Sequence, residues 1–516
     1  MVARKPPSLH SIMPDFAVFL LPSTALLGAM AASNASTCSG SRCPEQRHLS
    51  FAQRDDAMIA MWVTLVFVQQ PACNFGATVD LGNSVVAVST KIWQVKGITE
   101  FSHVCELSPL IPGQRYFYNV GDAESGIWSE LASFFAKPNT TSWAPAVLVF
   151  GDLGVDNDVS LPQLVKEAAS GENDFVLHLG DFAYDLESNG GEVGRTFMRE
   201  IDPIASRLPY MTCIGNHEGG TEFDHVSPLY HYMHRFQMPG KGDLVHGEKG
   251  NSVYYSFDAG RAHFLVFSSE VYFWQLWEVQ AQFNFLKQDL TAVDRKKTPW
   301  VITMAHRPMY CSNADHDDCT RPDSNVRTGL PMHGTRIFQL EKLFHEHGVD
   351  LAFWAHEHSY ERTWPVHDTN VNNGTVSPYV DPGATVHIIT GNAGCREHHD
   401  VFNGPRGNWS AVRSTSYGYG KLQVLNASHL HWRQVDAVTG SPVDDVTIVK
   451  TTLPTTTGPV SISSTADEAS KHDFAWTDAP REYIYQRTHA CTKRGVFPQH
   501  GCAPIGRAAT SNEVLI

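Results

Sequence analysis

The chain is short of positive charge. Lys and Arg total 39 of 516 residues against 54 Asp and Glu, giving a formal net charge of −15 and a pI of about 5.9. A chain of that sign repels a polyphosphate backbone, so nucleic acid is not an expected partner. It also lacks a long unbroken apolar run. The one apolar stretch near the start, Phe16 to Leu21, is interrupted by Pro22-Ser-Thr24 and resumes from Ala25 to Ala32. That is too short and broken for a membrane span, and no second candidate follows, so a stable membrane anchor is not expected. With Arg4 and Lys5 ahead of it and the small-x-small site Ala29-Met-Ala31 behind, residues 1–35 read as a secretory signal, an uncleaved anchor being the alternative.

Five Asn-x-Ser/Thr sequons, at Asn34, Asn139, Asn373, Asn408 and Asn426, fit an exported chain, secreted or lysosomal. Ten cysteines fit an oxidising compartment. Cys311 with Cys319, Cys38 with Cys43 and Cys491 with Cys502 are near enough in sequence to pair, while Cys213, inside an apolar run, reads as a buried free thiol. The 26 histidines would swing the formal charge from −15 to +11 if all were protonated, so the chain's field depends strongly on pH.

Residues 40–138 carry short strand-like runs with turn signals: Ala57–Thr64, Ser102–Leu107 and, after Ile111-Pro-Gly113, the Tyr-rich Arg115–Val120. This predicts a β-sandwich that resembles a fibronectin type III domain. It contains no cluster of metal-ligating residues and is assigned a structural or substrate-lip role. Lys137–Thr141 reads as a linker. Over residues 145–450 apolar runs end in polar loops: Ala146–Phe150, Phe175–Leu179, Pro209–Ile214, Trp300–Ala305 and Val349–Trp354. Helical periods fall at 195–206, 275–292 and 335–347, and a hairpin at 252–267. The expectation is an α/β layered domain of mixed sheets flanked by helices, with its polar residues at strand ends. Residues 451–516 begin with the Thr/Pro-rich run Thr451–Pro459 and have little periodicity, which predicts a poorly ordered tail.

The loops carry the chemistry. Gly180-Asp-Phe-Ala-Tyr-Asp185 follows a buried strand and presents a carboxylate, Asp181, and a phenol, Tyr184. Both oxygens of an Asp can serve two cations. A phenol keeps its proton to about pH 10, and a strongly Lewis-acidic ion such as Fe(III) displaces it. The other loops add Asp152, Asn216, His217, His306, His356 and His358. Each dipeptide alone is an ordinary turn or a structural histidine; together, in this order, they point to a two-metal site.

The motif set resembles that of the purple acid phosphatases, within the calcineurin-like metallophosphoesterases, over residues 44 to 450. The matching runs are Gly151-Asp-Leu-Gly154, Gly180-Asp-Phe-Ala-Tyr184, Gly215-Asn-His-Glu218, Ile302-Thr-Met-Ala-His306 and Ala355-His-Glu-His358, the last with Ala in place of the family's Gly. The resemblance implies a metallophosphoesterase α/β sandwich and an Fe(III) ion held by Asp152, Tyr184 and His358. A divalent Zn, Mn or Fe(II) would be held by Asn216, His306 and His356, with Asp181 bridging. It implies hydrolysis of a phosphate ester by hydroxide generated at the metals, with His217 near the leaving group as donor or general acid. His316, ten residues after His306, is a second catalytic candidate set against a plain loop histidine; plant members carry a His pair near that spacing, and Asp315 precedes it here. Two other readings share these residues: a phosphodiesterase or pyrophosphatase of the same superfamily, and a glycosylated extracellular binding protein with structural metals.

Overall fold

In the computed structural model, the structure is described for residues 38, 40–92, 99–219, 229–240, 252–313, 317–404 and 406–453. The signal segment, His316, Cys491, Cys502 and the tail beyond 453 lie outside the described residues. Two antiparallel sheets come first. One orders strands 45–51, 58–64, 100–107 and 88–92; the other orders 83–86, 71–76, 115–122 and 127–128, with 132–135 also on 115–122. Trp62, Cys73, Tyr118 and Phe134, one from each of four strands, are buried in a common core.

Two mixed sheets follow. The six-stranded one orders 210–212, 175–178, 146–150, 418–424, 429–436 and 442–449, its first three strands parallel. The seven-stranded one orders 255–259, 262–266, 300–304, 351–354, 386–390, 360–363 and 410–414, with parallel pairing from 262–266 through 386–390. Their parallel strands are continuous apolar runs because both faces are covered. The sheets meet through aromatic pairs: Phe175 and Phe264 with centroids 5.5 Å apart, and Phe353 and Trp432 at 5.0 Å. The chain therefore delivers the carboxyl ends of strands 146–150, 175–178, 210–212, 300–304 and 351–354 to one rim.

The structure differs from the sequence expectation in places. The 335–347 segment divides into a strand, Thr335–Ile337, and a helix, Leu340–Glu346, because β-branched residues and Phe338 at φ +59° break the period. The 195–206 helix lies in the helical segment Ser188–Ala205, which is broken near its start by three left-handed residues, Asn189, Gly190 and Gly191. The helix expected at 275–292 runs from Val279 to Ala292. The hairpin pairs 255–259 with 262–266 around Gly260-Arg261, and Gly260 takes φ +56° where a side chain would meet Trp143 O at 2.2 Å. The linker is not loose: Lys137 is buried, its Nζ 2.6 Å from Asp55 and stacked over Phe51. Cys38 pairs with Cys43 and Cys311 with Cys319, and Cys213 is a free buried thiol.

Candidate metal centre

Every strand at the rim ends two to four residues before a polar side chain of the site, and the backbone there is unusual. Asp152, Asp181, Tyr184 and His356 have φ of +57°, +51°, +57° and +70°. A non-glycine residue held left-handed costs on the order of 1–3 kcal/mol, a strain found where function fixes the backbone. Gly215 allows the tightest approach, since a Cβ there would sit 2.1 Å from Asp181 Oδ1. Glu218 ties two loops together: its carboxylate accepts the N–H groups of Asp181, Phe182 and Gly215 at 2.9, 3.0 and 2.7 Å. Burial and the adjacent Asp181 charge push Glu218 up to about 8, against the lowering by those N–H groups.

Two groups of donors form. In the first, Tyr184 Oη lies 3.2 Å from Asp152 Oδ1 and 2.8 Å from His358 Nε2, which is 3.4 Å from Asp152 Oδ1. In the second, His306 Nε2 lies 3.2 Å from each of Asp181 Oδ2, Asn216 Oδ1 and His356 Nδ1. The two groups adjoin, because Asp152 Oδ2 accepts the His356 N–H at 3.0 Å. Burial raises Asp152, and Asp181 adds to that against the pull of His306 and His358. Burial, then Asp152, hold the Tyr184 phenol well above its ordinary range.

The rear nitrogens fix the tautomers. His306 Nδ1 faces Leu179 O at 2.8 Å and His358 Nδ1 faces His398 O at 2.9 Å; a carbonyl only accepts, so each Nδ1 carries hydrogen. His356 Nε2 lies 2.6 Å from the Asp317 carboxylate and 2.7 Å from Arg307 Nη1; the carboxylate, the nearer of the two, only accepts, and Nη1 has Asp317 Oδ2 as an acceptor of its own, so Nε2 carries hydrogen likewise. The forward atoms, His306 Nε2, His356 Nδ1, Asp181 Oδ2 and Asn216 Oδ1, then bring four lone pairs together. The site demands positive charge: burial lowers His306, but Asp181 and Asp152 outweigh it and hold it at about 9. A proton satisfies one of those three contacts, whereas a metal ion engages all four atoms. Asp181, His306 and His356 hold their ligand atoms within 4.8 Å of one another. The donor set fits a pair of metal ions, harder in the first group with its phenol and carboxylate, borderline in the second with its imidazoles and amide.

His217 sits beside the second group. Its Nδ1 is 2.8 Å from Asp185 Oδ1, its Nε2 3.9 Å from Asp181 Oδ2 and 3.8 Å from Glu397 Oε1. Burial lowers its basicity, but Asp181, Asp185 and Glu397 together hold it at about 10.

Three family models match in order: purple acid phosphatase N-terminal domain at 44–136, calcineurin-like phosphoesterase at 145–360, and iron/zinc purple acid phosphatase-like protein C at 384–445. Acid phosphatase type 7 of Mus musculus is 43% identical over 421 residues, covering 80% of this chain and 92% of that protein. The chain belongs to the purple acid phosphatase family. The Homo sapiens acid phosphatase type 7 is 42% identical over 449 residues, covering 84% of this chain and 96% of that protein. The purple acid phosphatase from yellow lupin (Lupinus luteus) seeds shares the fold, with a TM-score of 0.65 at 24% identity over 79% of this chain and 75% of that one.

Seven residues read from the sequence as metal ligands thus converge in this purple acid phosphatase fold, and His217 joins them. Ala355 in place of glycine is accommodated without a left-handed backbone: it is buried, and the space its Cβ fills is left by Gly151, where a second Cβ would sit 2.4 Å away. The sequence reading missed Asp185, Glu218, Arg307, Asp317 and Glu397 as supporting groups. Asp185 and Glu218 stood at the ends of runs already singled out, and Arg307 directly follows His306. Asp317 and Glu397 had no local signal, because only the folded loops bring them to the histidines.

Proposed function

We propose that this enzyme hydrolyses phosphate monoesters at acidic pH with a dinuclear Fe(III)–M(II) centre, and that it acts outside the cytoplasm, secreted or lysosomal. The observation that carries the reading is the meeting of four lone-pair atoms at His306 beside a buried phenol–carboxylate–imidazole group. Asp152, Tyr184 and His358 would hold Fe(III); Asn216, His306 and His356 a divalent Zn, Mn or Fe(II); Asp181 would bridge the two. When bound, two such ions supply Lewis acidity that polarises the phosphoryl oxygens and acidifies water for in-line attack.

The chain's own residues orient and protonate. Asp185 accepts from His217 Nδ1 and so aims Nε2 into the site. From that atom a proton passes to the departing ester oxygen, a role worth roughly 10²–10⁴-fold in rate. Glu218 keeps the Asp181 loop in its strained conformation by accepting three backbone N–H groups. Export is supported by the two disulfides and by Asn139, Asn373, Asn408 and Asn426, all exposed. Among the described residues no helix is long and apolar enough to cross a membrane.

Metal analysis with a visible spectrum tests the centre. Iron with a broad phenolate band is the expected result, and zinc alone without colour would sink the Tyr184 assignment. Comparing p-nitrophenyl phosphate with its bis-ester at pH 5 tests the substrate class; a preference for the bis-ester would overturn the monoesterase reading.

A further inference from the structure

Two of the three histidines that face the metal position are held from behind by main-chain carbonyls, those of Leu179 and His398. His356 differs. Its rear nitrogen meets a buried carboxylate, Asp317 Oδ2, at 2.6 Å, and Asp317 is 1% exposed. The same oxygen lies 3.2 Å from Arg307 Nη1, which also stands 2.7 Å from His356 Nε2. Arg307 is in turn pinned: its Nε is 3.0 and 3.2 Å from the two Glu270 oxygens, and its guanidinium lies 4.6 Å over the Phe273 ring. Glu270 also accepts the Trp274 indole N–H at 2.9 Å. The other Asp317 oxygen accepts the Asp318 N–H at 2.7 Å and caps the short turn Asp318–Thr320, whose Cys319 is bridged to Cys311. The carboxylate is thereby fixed by two partners before it reaches the imidazole.

We propose that Asp317 is the positioning residue of the divalent subsite: it holds His356 in the tautomer that frees Nδ1 and sets the affinity for the second metal, with Arg307 sharing its charge. The inference rests on the two-metal reading above. A carboxylate behind a ligating imidazole makes the ring a stronger donor than a carbonyl does, and its loss costs about 10–100-fold in metal affinity. The Arg307 guanidinium moderates the effect by drawing on the same oxygen. Nothing in the linear sequence joins these groups: Asp317 is separated from His356 by 39 positions and meets it only in the fold, where Asp317, two residues before the bridged Cys319, lies against His356.

The test uses the full-length protein loaded with iron and zinc. Zinc affinity is measured by competition with a chromophoric chelator, and both metals are counted by mass spectrometry after dialysis. Asp317→Asn keeps the turn's cap, since Asn serves there as well as Asp. It should lose zinc affinity by roughly 10–100-fold while iron is retained. Asn216→Ala, which removes a direct ligand, is run beside it. If Asn216→Ala loses zinc and Asp317→Asn binds it like the parent, the positioning role is wrong and the two-metal reading stands. If neither loses zinc, the reading of the site itself fails, and the inference with it. Should Asp317→Asn not fold, the pair Arg307→Gln with Glu270→Gln tests the same idea by opposite sign. With the guanidinium gone, no cation competes with His356 for Asp317 Oδ2 and zinc affinity holds or rises; a tenfold fall would overturn the proposal.

Discussion

Replacing Glu100 by Gln should destabilise the protein strongly although it changes one oxygen for nitrogen outside the site. Glu100 is fully buried on the strand 100–107 and is the counter-charge of two arginines from the neighbouring layer. Arg195 Nε lies 2.5 Å from one oxygen and Arg235 Nη2 3.0 Å from the other. Burial presses the Arg235 guanidinium down from its ordinary range, and Glu100 is the largest influence opposing that. Arg195 keeps a second partner in Glu192 at 2.6 Å, but Arg235 is left with Gln46 Oε1 at 3.1 Å and the Gly191 carbonyl, both neutral. Gln fills the same space without the charge, so packing is preserved and the loss is electrostatic. Removing one partner of a buried ion pair costs about 3–5 kcal/mol. Unfolding entropy for a chain of this length is roughly 1 kcal/mol per kelvin, so the melting temperature should fall by about 3–5 °C. Differential scanning calorimetry in metal-replete buffer reads this directly. Adding Arg235→Met removes the orphaned charge and should recover part of the loss, a coupling of about 0.5–3 kcal/mol. A melting temperature within about 1 °C of the parent for Glu100→Gln, or strict additivity in the double variant, would refute the reasoning.

His217→Asn should lower kcat on p-nitrophenyl phosphate by roughly 10²–10⁴-fold with both metals retained, checked by steady-state kinetics and metal analysis. Tyr184→Phe should abolish the visible phenolate band and weaken iron retention on dialysis, measured by absorbance and iron content; an unchanged spectrum would contradict the ligand assignment. The triad His263, Asp258 and Asp289, joined at 2.8 and 2.7 Å, should favour acidic conditions. Burial lowers His263, but the two carboxylates hold it at about 9, and its contribution is therefore present below about pH 6.5 and lost as pH rises through 9. Burial raises Asp258, but His263 and Lys297 bring it down to about 2, so its share is present above about pH 4 and lost as pH falls through 2. The stability gap between the parent and His263→Asn should therefore shrink by roughly 3 kcal/mol between pH 6 and pH 9 in urea melts.

The metal-facing side chains were legible because the chemistry demands particular residue types at strand ends, and short loops keep those types close to their strands. Asp152, Asp181, Tyr184, Asn216, His306, His356 and His358 each lie within a few residues of an apolar run that periodicity already marks as buried. The strands beyond residue 358 were less visible. Strand 360–363, Tyr-Glu-Arg-Thr, is polar because its charges are paired inside the fold, Arg362 with Asp444 at 2.6 Å. Strands 418–424, 429–436 and 442–449 complete a sheet whose first strands lie some 270 residues earlier, a pairing no local pattern encodes.

The sequence by itself determined the kind of site: which donors are present, in what order, and that a phenol stands among them. It determined this because ligand identity and strand-end position are local properties of the chain. The tertiary structure alone decided which rear nitrogen is held by which acceptor, that Asp185 aims His217, that Asp317 and Arg307 stand behind His356, and that Glu100 locks two layers together. Those are contacts across 32, 39, 49 and 95 or more positions. Their energies depend on burial and distance, which arise only when the two sheets close on each other and the loops at their common rim are pressed together.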